Sequence, residues 1–170
     1  MKSKVLVIDT SILCCWLEIP GKETCGNDDD KWERNRVKNL INEETKQGAT
    51  IVLPLATIIE TGNHISQARS MKYECAKELA NLINLAADNS TPWAAFSDQD
   101  SLWTSDELKR LALEWPELAM QNISLGDATI KLVAEYYAKG GYEVEILTGD
   151  SGLKSYQPTV VAPEPRRRKR

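Results

Sequence analysis

The chain has 170 residues, of which 42% are hydrophobic and 27% charged, with a net charge of −4. That length suits a single domain with one core and leaves little room for a second. Nothing approaches the roughly 20 consecutive apolar residues that span a bilayer, and four apolar residues after Lys4 are too few for a signal-peptide core, so the expectation is a soluble, cytoplasmic protein without a membrane partner.

Charge and cysteine usage narrow the chemistry. Five of the 21 basic residues form Arg166–Arg170, which leaves 16 against 25 acidic ones and a net of −9 over residues 1–165. An acidic body is unlike a typical nucleic-acid-binding surface, but it is what a site built from carboxylates for a cation leaves behind. Cys14 and Cys15 are adjacent, while Cys25 and Cys75 stand alone. With no CxxC or Cys/His spacing, zinc is disfavoured and buried free thiols are expected.

In chain order, Lys4–Ile8 is an apolar β-branched run, the pattern of a strand buried on both faces of a parallel sheet. Asp9 stops it, and a short helix is expected over Ile12–Leu17. Cys25–Asp30 reads as an Asp-rich loop. Trp32, Val37, Leu40 and Ile41 recur at helical spacing, with Gly48 as the C-terminal stop. Thr50–Leu53 is a second buried strand closed by Pro54. Ile58, Ile59 and Glu60 belong to a short helix, with His64 after it. Ala76, Leu79, Ala80, Ile83 and Ala87 mark a long amphipathic helix over Met71–Ala87, broken at Asp88–Pro92. Trp93–Trp103 reads as an ordered loop carrying aromatics, with Trp93 and Trp103 as its exposed tryptophans. A helix starts at Ser105 and runs to about Glu114, before Pro116. Another opens at Ser124 and runs through Ala138 to Gly140-Gly141. Val144–Leu147 is a third strand, stopped by Thr148-Gly149-Asp150, and Thr159–Val161 suits a short edge strand. Pro163 and Pro165 lead into the basic tail, so the domain is taken as residues 1–162 and residues 163–170 as a disordered tail. Strands alternating with helices predict an α/β/α three-layer sandwich with a mainly parallel sheet.

In such sheets ligands gather beyond the carboxyl ends of the strands, where the acidic residues fall. Asp9 follows the first strand and Asp150 the third; Glu60 lies just past the second, and Asp127 starts the helix feeding the third. Four oxygen donors without His or Cys select Mg²⁺ or Mn²⁺. Each also has a plainer reading. Asp9 can be an N-cap, Glu60 an exposed helix residue, Asp150 a turn residue, and Ser124-x-x-Asp127 a form of capping box.

VLVIDTSIL, PLATIIE, SLGDATI and ILTGDSGL, in that order, resemble the pattern of the PIN-domain nucleases over about residues 4–156. The resemblance implies a compact α/β/α fold and metal-dependent cleavage of single-stranded RNA to 5′-phosphate and 3′-hydroxyl ends. It assigns the acidic quartet to Asp9, Glu60, Asp127 and Asp150, with Ser11 and Thr148 at supporting hydroxyl positions. Many small bacterial members are toxins held by an antitoxin, so a regulatory protein partner is an expectation; whether the chain is a monomer or homodimer stays open. The Asp-rich loop and the segment 88–122 depart from the pattern and leave substrate choice open.

Around this set, Asn63 is a candidate support one helical turn after Glu60. His64, the one histidine, reads as structural rather than as a base, and Lys154 as a surface lysine rather than a phosphate ligand. The RRRKR tail is a candidate phosphate contact. Two rivals stand beside the nuclease. A haloacid-dehalogenase-type phosphatase would use Asp9 as nucleophile, but Ser11 cannot act as the second aspartate of that pattern. A catalytically silent PIN-like scaffold is the other.

Overall fold

The computed structural model describes residues 2–160. Three parallel strands, β1 (Lys4–Ile8), β2 (Thr50–Val52) and β3 (Glu143–Leu147), form one sheet in the order β2-β1-β3. Val5, Leu6 and Val7 face Thr50, Ile51 and Val52 across one ladder, and β1 runs in register with Glu143–Leu147 across the other. Every residue from Val5 to Ile8 is buried, as an apolar run without alternation requires.

Seven α-helices are present among the described residues: α1 (Thr10–Leu17), α2 (Arg34–Lys46), α3 (Leu55–Gln67), α4 (Lys72–Ala87), α5 (Ser105–Met120), α6 (Leu125–Lys139) and α7 (Ser151–Lys154). Two 3-10 segments, Asp28–Asp30 and Phe96–Trp103, join them. Successive strand residues point to opposite faces, and both faces are covered. Ile8, Ile51 and Leu147 pack with Ile12 and Leu13 of α1, Val37 and Ile41 of α2 and Leu79 and Leu82 of α4. Val5, Val7, Val52, Val144 and Ile146 pack with Ile130, Val133, Ala134 and Tyr137 of α6. α5 lies outside α6, where Leu111 meets Ala128, Leu132 and Ile123. The chain is thus α/β, with a small parallel sheet between helices.

At the amino end of the sheet, Lys4 bridges Glu44 of α2 and Glu145 of β3. Burial pulls the Lys4 ammonium down, but the two carboxylates outweigh it and hold its pKa above the ordinary lysine value. The open edge of β3 is stitched by side chains. Gln157 Oε1 accepts the Ile146 N–H at 2.9 Å, and Lys154 Nζ donates to the Ile146 carbonyl at 2.8 Å. Lys154 is therefore anchored to the sheet edge and to Glu145.

Several expectations are corrected. Trp32 does not belong to a helix: it precedes α2 and pairs with Cys25 in an antiparallel bridge, while Arg36 of α2 stacks on its ring. The helix carrying Glu60 is not short but runs 13 residues and includes His64. Trp93 is not exposed; it is 5% accessible, pairs with Ile51 as a bridge beyond β2, and stacks on Trp16. Its segment, 96–103, is 3-10 helix rather than loop. α5 does not stop before Pro116, which lies inside it. Trp115 Nε1 donates to the Ile123 carbonyl, and Trp115 and Leu118 pack on the outer face of α6. These tertiary contacts carry the helix past the amide that proline lacks. Thr159 and Val160 form no strand, because Gln157 and Lys154 already occupy the β3 edge; Val161 and the basic tail lie outside the described residues.

Candidate functional site

In the order β2-β1-β3 the chain leaves β1 for β2 on one side and then crosses back to β3 on the other. The crevice beyond the carboxyl ends of β1 and β3 is then a topological switch point, where parallel α/β sheets bind ligands. Asp9 continues the β1–β3 ladder there by donating its N–H to the Leu147 carbonyl at 3.0 Å.

Asp9 is 5% accessible and is held by hydroxyls rather than by a cation. Its Oδ2 accepts from Ser11 Oγ at 2.7 Å and from Thr148 Oγ1 at 2.7 Å. The same hydroxyls accept from the backbone: Ser11 Oγ from the Gly149 N–H and Thr148 Oγ1 from the Asp150 N–H, both at 3.0 Å. Donor and acceptor capacity is thereby used in both directions, and the β1–α1 and β3–α7 corners become one unit. Among the described residues no hydrogen bond falls on Asp9 Oδ1. Asp9 is the N-terminal flanking residue of α1 but makes no side-chain capping bond.

Glu60 projects from α3, with Oε2 accepting from Thr10 Oγ1 at 2.9 Å. It leans on the first turn of α6 so closely that a Cβ on Gly126 would collide with Oε1. Asp127 is the third residue of α6. Ser124 Oγ caps that helix by accepting the Asp127 N–H at 3.0 Å, so the Asp127 carboxylate is not the cap. Asp150 does have a capping role: Oδ1 accepts from the N–H of Gly152 at 2.7 Å and of Leu153 at 3.4 Å, opening α7.

All four carboxylates line one cavity of about 490 Å³, together with Thr10, Ser11, Cys14, Lys22, Cys25 and His64. Asp127 registers its surroundings. Burial first, then the charge of Asp9, lift its carboxyl to about 6; Asp150 and Glu60 add to the rise, while the Ser124 hydrogen bond opposes it. His64 is shifted the other way, lowered by burial and by Lys22 against the pull of Glu60. A neutral imidazole at physiological pH follows.

Among the described residues no three His, Cys, Asp or Glu side chains are already closed around a point as a metal cage. The carboxylates instead line an open cavity, and their all-oxygen chemistry suits a hard cation that keeps part of its water shell, as Mg²⁺ does. Asp9 would offer Oδ1, and Asp150 its second oxygen.

Ser11 and Thr148 thus stand against Asp9. Asn63 does not join them: it is exposed and is not among the residues that line the cavity. Lys22, Cys14 and Cys25 were not anticipated. Cys14 lines the cavity from α1 itself, and Lys22 and Cys25 reach it because the stretch between α1 and α2 folds back over it. Gly149 permits this approach, since a Cβ there would lie 2.6 Å from Cys25 Sγ. A glycine between Thr148 and Asp150 was the available signal. No protein-family model matches this chain significantly, and neither does a curated protein or a solved structure.

Proposed function

We propose that this chain is a Mg²⁺- or Mn²⁺-dependent endoribonuclease of the PIN type, hydrolysing phosphodiester bonds in single-stranded RNA. The observation that carries the reading is the meeting of Asp9, Glu60, Asp127 and Asp150, from four separate elements, in one cavity at the switch point of the sheet. Such a concentration of negative charge is costly without a counter-ion, which is why burial and its neighbours lift Asp127 to about 6.

Each residue has a share in the chemistry. Ser11 and Thr148 fix one oxygen of Asp9 and aim the other into the cavity. Thr10 and the first turn of α6 orient Glu60. Asp127 and Asp150 supply the remaining oxygen donors, and Lys22 supplies positive charge for an approaching phosphate. When bound, the cation lowers the pKa of water and neutralises charge developing on the phosphate oxygens.

The test is cleavage of end-labelled single-stranded RNA by the full chain with Mn²⁺ or Mg²⁺. Cleavage should stop on adding EDTA and leave 5′-phosphate ends. Asp9→Asn and Asp150→Asn should each remove nearly all of it, because each loses a charged donor at unchanged size. Full cleavage by either purified, folded variant would overturn the reading. A stable phosphoenzyme on Asp9 would instead favour the dehalogenase-type phosphatase.

A further inference from the structure

We infer that Cys15 and Cys25 form a thiol–disulfide site, in which a hydroperoxide entering the acidic cavity oxidises Cys25 and Cys15 closes the disulfide. The geometry carries this. The two sulfurs lie 3.4 Å apart with Cys15 donating to Cys25, although ten residues and a complete change of direction separate them in the chain. Both are free thiols; Cys15 is fully buried beneath the cavity, whereas Cys25 is half-exposed and forms part of its wall. That division suits an attacking and a resolving cysteine: one sulfur meets the oxidant, and the other meets only the first.

The backbone holds the pair in place. Cys15 sits on α1, and Cys25 is fixed by two hydrogen bonds with Trp32, at 3.2 and 2.8 Å. On its other side Cys25 rests against Gly149. Cys14, though adjacent in sequence, has no sulfur contact with Cys25 of this kind among the described residues, and Cys75 donates to the Leu17 carbonyl.

The steps balance. The Cys25 sulfur attacks one peroxide oxygen and the O–O bond breaks; the departing oxygen takes the Cys25 proton, leaving a sulfenic acid and, from hydrogen peroxide, water. The Cys15 sulfur then attacks the sulfenic sulfur. The S–S bond forms, the S–O bond breaks, and the hydroxyl leaves as water with the Cys15 proton. Two thiols are oxidised by two electrons and one peroxide is reduced. Closing the bond ties the cavity wall from Gly21 to Cys25 onto α1. The site is independent of what the acidic cavity hydrolyses.

The test treats the folded, reduced full chain with hydrogen peroxide, blocks remaining thiols with N-ethylmaleimide, and maps peptides by tandem mass spectrometry. The expected product is an intramolecular Cys15–Cys25 link, lacking two hydrogens, that dithiothreitol reverses. It should persist in Cys14→Ala and fall sharply in chain unfolded by urea before oxidation. In Cys15→Ala, Cys25 should stop at a sulfenic acid that dimedone traps. A dominant Cys14–Cys25 link, cross-linked dimers through Cys25, or equal linkage in urea would each overturn the inference.

Discussion

Asp127 and Ser124 occupy the same helical turn, yet pH separates their contributions. An unstructured aspartate titrates near 3.8, while in the fold burial and then Asp9 lift Asp127 to about 6. Between those values the folded chain holds a proton that the unfolded chain has released, so this contribution to stability is complete below pH 3.8 and lost as pH rises through 6. In EDTA, Asp127→Asn should melt no lower than wild type well above pH 6, and that advantage should fade on acidification. Its Mn²⁺-induced rise in Tm should shrink, because a donor is gone. Ser124→Ala should instead cost about 0.5–2 kcal/mol already in acid buffer, where Asp127 is protonated, and keep its metal response. Calorimetry of the two variants across pH distinguishes them; identical profiles would remove Asp127 from the site. Gly126→Ala tests Glu60 without touching it. Alanine is the better helix former by roughly 0.5–1 kcal/mol, so melting should hold, while the new methyl displaces the Glu60 carboxylate and RNA cleavage falls. A loss of stability with cleavage intact would mean that the position of Glu60 does not matter.

At the scale of elements, the three strands were legible because strands between two helical layers read as short, mainly apolar runs rich in β-branched residues, as Lys4–Ile8, Thr50–Leu53 and Val144–Leu147 do, with Glu145 the one charge inside the last. The acidic set could be placed with them, since each carboxylate follows a strand or opens a helix. What escaped the sequence depends on tertiary contact. Trp115 holds α5 together across Pro116 through a bond to Ile123, and nothing local announces that bond. The fold-back that brings Lys22 and Cys25 to the cavity rests on the Cys25–Trp32 bridge and on the missing side chain of Gly149. The edge of β3 gives a measurable case. Gln157→Ala leaves the Ile146 N–H without its partner, which should cost about 1–3 kcal/mol if water does not replace it. Urea unfolding should show the loss, with the slope unchanged because the surface exposed on unfolding is nearly the same. An unchanged midpoint would mean that solvent satisfies this amide.

For the whole molecule, charge is divided between an acidic body and a basic end. If the RRRKR segment contacts phosphates, deleting Arg166–Arg170 should weaken RNA binding and flatten its dependence on salt, because fewer counter-ions are released. Filter binding across a salt series checks this, and an unchanged slope would assign those residues another role. The bond from Thr148 to Asp9 spans 139 residues, and its consequence lies in the order of synthesis. A ribosome delivers Thr148 only 139 residues after Asp9, so the nascent chain carries an unanchored Asp9 throughout that stretch of elongation. Until β3 has emerged and docked on β1, neither the clamp on Asp9 nor the contribution of Asp150 exists. A partial product, whether paused or truncated before residue 148, therefore has two of the acidic side chains and a third on α6 but lacks the hydroxyl that aligns the first, so on the proposed reading it would not hydrolyse RNA until the sheet is complete.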